Sequence, residues 1–306
     1  MNWFLIALIP PAIWSATNYF DKYLISRYFK GDSGVGALMM FSSVIEVFIL
    51  GIIAIIHPEV LRYPFSKGIF IALNGFVYLL ATLPYLYALK KDETSIAVPM
   101  FQLIPAFTYF LAWLILGETL NKNQLFGGIL IIIGAIIISL GLSETKKIVI
   151  KKEVLLLMAI SSLFFSLNFL LFKYFAINAT FWVTSFWEYT GFAIFSFLLF
   201  VFIRKYRDEF ISIIKVNKAT VLTLNGINEV LNIIAKIAFN FASLLTPITL
   251  TWIVNGFQPL FVFFYGIILT LFFPHISKEN ISKRHLAHKI IAISIILIGT
   301  FFINIK

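Results

Sequence analysis

Ten long apolar segments, separated by short polar stretches, follow one another along this chain of 306 residues. Each segment is about 20 to 28 residues long, which is enough for a helix to cross roughly 30 Å of hydrocarbon. Hydrophobic residues make up 60% of the chain and charged residues 12%, a balance far from that of soluble proteins. The sequence therefore predicts an all-α integral membrane protein with ten transmembrane helices, at residues 3–26, 34–56, 67–89, 94–116, 123–142, 154–176, 179–203, 218–242, 246–273 and 285–304.

A polar stripe runs along the eighth predicted helix. Its members follow one another at spacings of four, three, four and four residues, which places them on one helix face. The opposite face is apolar, so the stripe should point away from lipid and mark a functional site. The stripe consists of Asn225, Glu229, Asn232, Lys236 and Asn240.

The two halves of the chain repeat the same features in the same order. At an offset of 151 residues, Lys22 matches Lys173 and Asn74 matches Asn225. The pairs Glu46 and Glu188, Pro105 and Pro259, and Gly134 and Gly299 follow after small gaps. This predicts two five-helix repeats, residues 1–142 and 154–306, joined by a basic linker at 143–153. Because five is an odd number, the repeats cross the membrane in opposite senses and should enclose a central cavity at their interface.

Lys and Arg are distributed unequally between the two sides of the predicted membrane. The loops after the odd-numbered helices carry 17 of the 24 basic residues, the opposite side carries 4, and three lie within spans. Basic loops face the cytoplasm. The sequence therefore places the linker in the cytoplasm and both termini outside, in the cytoplasmic membrane.

Several side chains are candidates for contact with a solute in the cavity. At the 151-residue offset, the third helix carries aromatic groups where the eighth carries charges, so one wall can stack a planar ligand while Lys236 or Glu229 meets a charged end. The stripe could equally hold helices together, since amides form hydrogen bonds across membrane interfaces. The predicted substrate-binding residues are Lys236, Glu229, Asn232, Asn225, Asn74, Tyr78, Tyr85, Gln102 and Gln258.

The spans also contain the ionisable residues Glu46, Glu188, Lys22 and Lys173. Facing lipid, each would cost about 2.5 to 3.5 kcal/mol, so we expect all of them to point inward. Glu46 and Glu188 could carry protons, or they could pair with Lys22 and Lys173 as structural ions.

Residues 94–128 carry a motif, which reads TSIAVPMFQLIPAFTYFLAWLILGETLNKNQLFGG. This segment resembles the repeat signature of the EamA branch of the drug/metabolite transporter superfamily. The second half is a poorer match, because it keeps Ala242, Pro259 and Gly299 but lacks the Leu-Gly-Glu element at 116–118. The resemblance implies a basket of ten helices around a cavity, alternating access, and transport of small metabolites or drugs. The family is usually drawn with cytoplasmic termini, whereas the charge distribution indicates the reverse.

Other classes of function find little in the sequence. The chain has no cysteine and no phosphate-binding GxxxxGK[ST] motif, and His285 and His288 lie in a basic stretch without a third ligand. We therefore expect no cofactor, no metal site, no nucleic-acid partner and no enzymatic activity. The predicted function is a secondary exporter or exchanger of a small organic solute, driven by exchange or by proton coupling. The alternatives are a flippase for a lipid-linked precursor and a non-transporting membrane scaffold, and the oligomeric state is not predicted.

Overall fold

The computed structural model describes residues 3–29, 34–91, 97–139, 152–272 and 283–305. Over these ranges the regular structure is helical throughout, so the all-α class is confirmed for the described chain. The predicted linker lies mostly outside the described residues. The α-helices are α1 (Trp3–Ala7), α2 (Ile9–Arg27), α3 (Gly34–Ile56), α4 (Phe65–Lys91), α5 (Ile104–Leu116), α6 (Lys122–Ser139), α7 (Lys152–Asn178), α8 (Phe181–Phe202), α9 (Arg204–Leu245), α10 (Ile248–Val254), α11 (Gln258–Phe272) and α12 (Lys283–Asn304).

Six helical segments of the described chain are long and apolar enough to cross a membrane. Three shorter apolar helices accompany them. The chain is therefore a multi-pass membrane protein, whereas the layout of ten spans in two repeats stays a prediction. The six are Gly34–Ile56, Phe65–Lys91, Lys152–Asn178, Phe181–Phe202, Ala219–Leu245 and Ile248–Phe272, and the shorter three are Met100–Leu116, Lys122–Ile137 and Lys289–Asn304.

The first predicted span is divided. It forms α1 and α2, which a turn at Leu8 separates, and Pro10 and Pro11 follow at the start of α2. Proline lacks the backbone N–H that would continue the hydrogen-bond ladder, and it is tolerated in the first turn of a helix.

The sequence predicts a loop for the polar stretch at 204–218, between two spans, and this prediction is wrong. This stretch is the first part of α9, which runs for 42 residues. The stretch contains no glycine or proline, and it packs an aromatic face against the protein: the Tyr206 hydroxyl lies 3.2 Å from that of Tyr87, and the Phe210 ring lies 4.6 Å from that of Phe41. Charged residues on its other face give this amphipathic helix a composition typical of a polar loop.

Two spans are interrupted by a 3-10 turn at matching places. The turn Val98–Leu103 precedes α5, and the turn Asn255–Phe257 separates α10 from α11. In both cases the following α-helix has proline at its second residue, Pro105 or Pro259. Such breaks leave polar backbone groups inside the protein, where they are tolerated beside a cavity.

Glycines bring the central helices into contact. A Cβ atom added at Gly191 on α8 would overlap the carbonyl of Ala72 on α4, and one at Gly75 would overlap the carbonyl of Glu188. Likewise Gly127 on α6 meets the backbone of Gly299 on α12. Small residues allow this backbone approach, which is typical of helix packing in membranes.

Candidate functional site

A cavity lies among α2, α3, α4, α7 and α9, next to the two interrupted spans. It includes about 890 Å³ of space between atoms, part of which is open to the exterior. The lining combines carboxyl groups, amides and aromatic rings from both halves of the chain.

Three carboxyl groups line the cavity: Asp21 on α2, Glu46 on α3 and Glu229 on α9. Among the lining residues that the structure describes, none is Lys, Arg or His. Glu46 and Glu229 are buried, with 3% and 8% of their surface exposed. Ser42 of α3 lines the cavity beside Glu46 and Glu229. The cavity wall therefore has an acidic character.

Asp21 is held by neutral donors. Its Oδ1 accepts a hydrogen bond from Asn228 Nδ2 at 2.7 Å, and its Oδ2 lies 3.1 Å from the Tyr85 hydroxyl. The same hydroxyl lies 2.9 Å from Asn18 Oδ1. These contacts orient the carboxyl group and leave its charge without a neutralising partner among them.

Lys236 is not part of the cavity lining. Its ammonium Nζ lies 3.2 Å from Glu188 Oε2 on α8, and 3.7 Å from the ring centroid of Tyr78. The rings of Phe192 and Phe169 lie further out, at 4.6 and 5.2 Å. An ammonium over an aromatic face is a favourable arrangement, most of all when it is desolvated. Tyr78 therefore separates this cation from the cavity that the tyrosine lines.

Two asparagines hold the other oxygen of Glu188. Its Oε1 accepts from Asn74 Nδ2 on α4 at 2.9 Å and from Asn168 Nδ2 on α7 at 2.8 Å. Each asparagine also donates to the backbone carbonyl of the other, at 3.1 and 2.9 Å. We call Glu188, Lys236, Asn74 and Asn168 the Glu188 cluster. Its bonds join four helices from both halves of the chain.

Aromatic rings form the wall on the other side of the cavity. Trp14 and Trp252 stack at 6.1 Å between centroids with an interplanar angle of 16°, and both line the cavity. Phe169 meets Trp252 edge to face at 5.1 Å. Phe239 does not line the cavity, and its ring centroid lies 4.6 Å from that of Phe169. On α7, Phe169 of this layer stands about one helical turn before Lys173.

Beyond the aromatic layer, an ion pair joins the ends of three helices. Lys173 near the end of α7 pairs with Glu118, and its Nζ donates to the carbonyl of Thr246 at 2.8 Å. Glu118 Oε2 accepts from the backbone N–H of Ile248 at 2.9 Å. We call this the Lys173–Glu118 pair. It ties α5 and α7 to the connection between α9 and α10.

The structure divides the predicted site residues into two groups. Six of the thirteen candidates line the cavity, and the rest lie behind its wall or at the helix ends. The lining group is Glu46, Glu229, Asn232, Tyr78, Tyr85 and Gln258, and the other group is Asn74, Asn225, Gln102, Lys236, Glu188, Lys22 and Lys173.

The sequence suggests that Glu46 or Glu188 pairs with Lys22 or Lys173. The ion pairs of Glu188 and Lys173 in the described chain are different ones. Glu188 pairs with Lys236, and Lys173 pairs with Glu118. Lys22 Nζ donates to the Leu89 carbonyl at 2.8 Å. Pairing in the fold depends on which helix ends meet, and the four ionisable residues alone do not specify that.

Sequence reasoning missed three residues of this region. Asp21 precedes Lys22 and looks like part of a polar helix end, although its three-residue spacing from Asn18 places both on one face. Asn168 stands alone in an apolar segment, and Glu118, although part of the Leu-Gly-Glu element, gives no periodic signal. Asn225 and Gln102 are buried with polar atoms that have no hydrogen-bond partner among the described residues.

No group of three His, Cys, Asp or Glu suited to a metal ion occurs in the described chain.

Comparison with known proteins supports the family resemblance that residues 94–128 carry. Residues 1–140 match the model of the EamA-like transporter family, which belongs to the drug/metabolite transporter superfamily. The predicted resemblance is thereby confirmed for the first half of the chain.

Two curated proteins align with part of the chain. The uncharacterized protein MJ1333.1 of Methanocaldococcus jannaschii is 35% identical over 88 residues, which are 29% of this chain and 59% of that protein. An uncharacterized transporter of Clostridium kluyveri is 32% identical over 140 residues, 43% of this chain and 42% of the relative. The chain thus spans about half the length of the curated relatives that it matches.

A solved structure shares the fold. Described simply as the crystal structure of a protein, it is 16% identical in sequence and superposes with a TM-score of 0.66. The match covers 99% of this chain and 96% of the other, so it concerns the whole fold.

Proposed function

We propose that this chain is a secondary transporter of a small organic solute. The match of its first half to the EamA-like transporter family supports this proposal. The chain exports or exchanges that solute across the cytoplasmic membrane by alternating access. The observation that carries the proposal is a cavity built from both halves of the chain, with an aromatic layer and the Lys173–Glu118 pair at one end. A site that opens to one side at a time needs such a closed end.

The proposed architecture is ten helices in two inverted repeats. Two matched features support it. Lys22 and Lys173 are equivalent by the 151-residue offset. Each donates a hydrogen bond of 2.8 Å to a carbonyl near the end of a helix, Lys22 at α4 and Lys173 at α9. These two helices correspond to each other in the repeat. Pro105 and Pro259 each stand second in a helix that follows a 3-10 turn. Inverted repeats place such equivalent features on opposite sides of the membrane.

The residues take different roles in this proposal. In this proposal the solute contacts Glu229, Asn232, Tyr78, Tyr85 and Gln258, and we add Asp21 because it lines the same cavity. The other candidates position the walls: Asn74, Glu188 and Lys236 through the Glu188 cluster, with Asn225 and Gln102 in the surrounding packing. Glu46 is the candidate proton carrier, since it lines the cavity while buried. Basic loops place the termini outside, so the Lys22 end of the cavity faces the cytoplasm.

The function is tested by binding first and flux second. The purified protein is screened by thermal unfolding against amino acids, nucleosides, amines and sugar phosphates, because a ligand at ten times its dissociation constant stabilises the folded state by about 1.4 kcal/mol. Each stabilising compound is then tested for counterflow into sealed proteoliposomes. We expect saturable uptake that empty vesicles lack. Stabilisation without any uptake would contradict the transporter assignment and favour the scaffold, and lipid translocation alone would favour the flippase.

A further inference from the structure

The charges around the cavity are unequal in number. Asp21, Glu46 and Glu229 line it, none of the described lining residues is basic, and the ammonium of Lys236 behind Tyr78 is already in an ion pair with Glu188. Lys236 lies within electrostatic reach of Glu46 and Glu229 as well. Asp21 is bonded only to the neutral groups of Asn228 and Tyr85 among the described contacts, and a buried charge without a counter-ion is expensive in the membrane interior. A cation in the cavity would offset that charge.

The cavity walls suit an organic cation better than a metal ion. The three lining carboxyl groups are spread over α2, α3 and α9 and do not form a metal-binding group in the described chain. Seven of the 22 lining residues are aromatic, and such rings attract an ammonium through their faces. The Tyr78 ring already carries one ammonium, that of Lys236, at 3.7 Å.

Two unused donors in the lining add a further requirement. The Trp252 indole N–H and the Asn18 Nδ2 group have no hydrogen-bond partner in the described chain, although both residues are 4% exposed. Asn255 Oδ1, also in the lining, is an acceptor without a partner there. Buried polar groups left without partners are costly, so a ligand that satisfies them gains affinity. The donors call for an oxygen on the ligand, and Asn255 accepts an N–H.

We propose that this cavity binds an organic cation, an amine on an aromatic body that also carries an oxygen acceptor. The ammonium lies between Asp21 and Glu229, and the ring stacks against Trp14 and Trp252. This assignment of a substrate class rests on the proposed transport function. It differs from the expectation that Lys236 meets the charged end of the solute, because Tyr78 stands between that lysine and the cavity.

Three compounds of similar shape and different charge test the assignment on the unmodified protein. Tyramine is a cation, 4-ethylphenol is neutral and 4-hydroxyphenylacetate is an anion, and all carry the same phenol. Binding is measured by titration with tryptophan fluorescence, since two tryptophans line the cavity, and by thermal unfolding. We expect tyramine to bind roughly tenfold or more tightly than the other two. Equal binding of the three, tighter binding of the anion, or no binding of tyramine would overturn the proposal.

Matched variants localise the binding. Asp21→Asn and Glu229→Gln should each weaken tyramine binding roughly tenfold. Asp208→Asn and Glu59→Gln are the controls, because these carboxyl groups are exposed and lie away from the cavity. Retained affinity in both cavity variants would overturn the proposed position of the ammonium.

Uptake distinguishes this proposal from the one on which it rests. If tyramine binds selectively but is not transported, the cation site stands and the transport function fails. If the anion or the neutral compound is transported and tyramine is not, the transport function stands and the cation assignment fails.

Discussion

Lys236 Nζ lies 3.2 Å from Glu188 Oε2, and both side chains are almost wholly buried, at 4% and 1% exposure. The pair joins α9 to α8, and two asparagines from α4 and α7 complete it. Removing one member of such a pair leaves an uncompensated charge inside the protein. The pair therefore belongs to the framework that holds the cavity in shape.

Lys236→Met should destabilise the protein by about 3 to 5 kcal/mol, because Glu188 loses its counter-ion. The double variant Lys236→Met with Glu188→Gln should recover a large part of that loss. Thermal unfolding of the two single variants and the double variant forms a cycle that measures the coupling. Additive losses would show that the two residues do not act as a pair.

Asn168→Ala should cost about 1 to 3 kcal/mol, since its amide bridges α4 and Glu188 and would leave buried groups without partners. Asn178→Ala is the control on the same helix. That asparagine is exposed and donates to Tyr174 of its own helix. The control should change the unfolding temperature little, and equal losses in the two variants would contradict the role given to Asn168.

Gly191→Ala should destabilise the protein by about 1 to 3 kcal/mol, because the new methyl group would overlap the Ala72 carbonyl and force α8 from α4. Gly51→Ala is the matched control. A Cβ atom at Gly51 meets nothing within 4 Å, and alanine favours helix by up to about 1 kcal/mol over glycine. Thermal unfolding should therefore move in opposite directions for the two variants.

The long helices could be predicted from the sequence because apolar length is itself the physical requirement for crossing a membrane. The first part of α9, before residue 218, could not be predicted in this way. Its charges face outward, and its helix depends on packing of Tyr206 and Phe210 against other helices. A count of apolar residues does not register such contacts.

The candidate site was predictable where its residues repeat along one helix. The spacing of the polar stripe placed Glu229 and Asn232 on one face, and both line the cavity. Lys236 shares that stripe but lies behind Tyr78, because the depth of a side chain depends on the neighbouring helix. Asp21 and Asn168 are isolated polar residues, and nothing local distinguishes them from helix ends or interhelical contacts.

The central claim is that the cavity opens to one side at a time, with the Lys173–Glu118 pair closing one end. The native sequence has no cysteine, so a single introduced thiol reports access without background. Asn232→Cys places that thiol in the cavity lining. Ser26→Cys and Asn178→Cys mark the two ends, because these residues are exposed near the ends of α2 and α7.

The decisive measurement is labelling of Asn232→Cys in sealed proteoliposomes with a membrane-impermeant thiol reagent applied to each side. We expect labelling from the side that labels Ser26→Cys and protection from the side that labels Asn178→Cys. Adding Glu118→Gln should open the second route, because the ion pair with Lys173 is lost. Equal labelling from both sides without that substitution, or no change on adding it, would contradict the account.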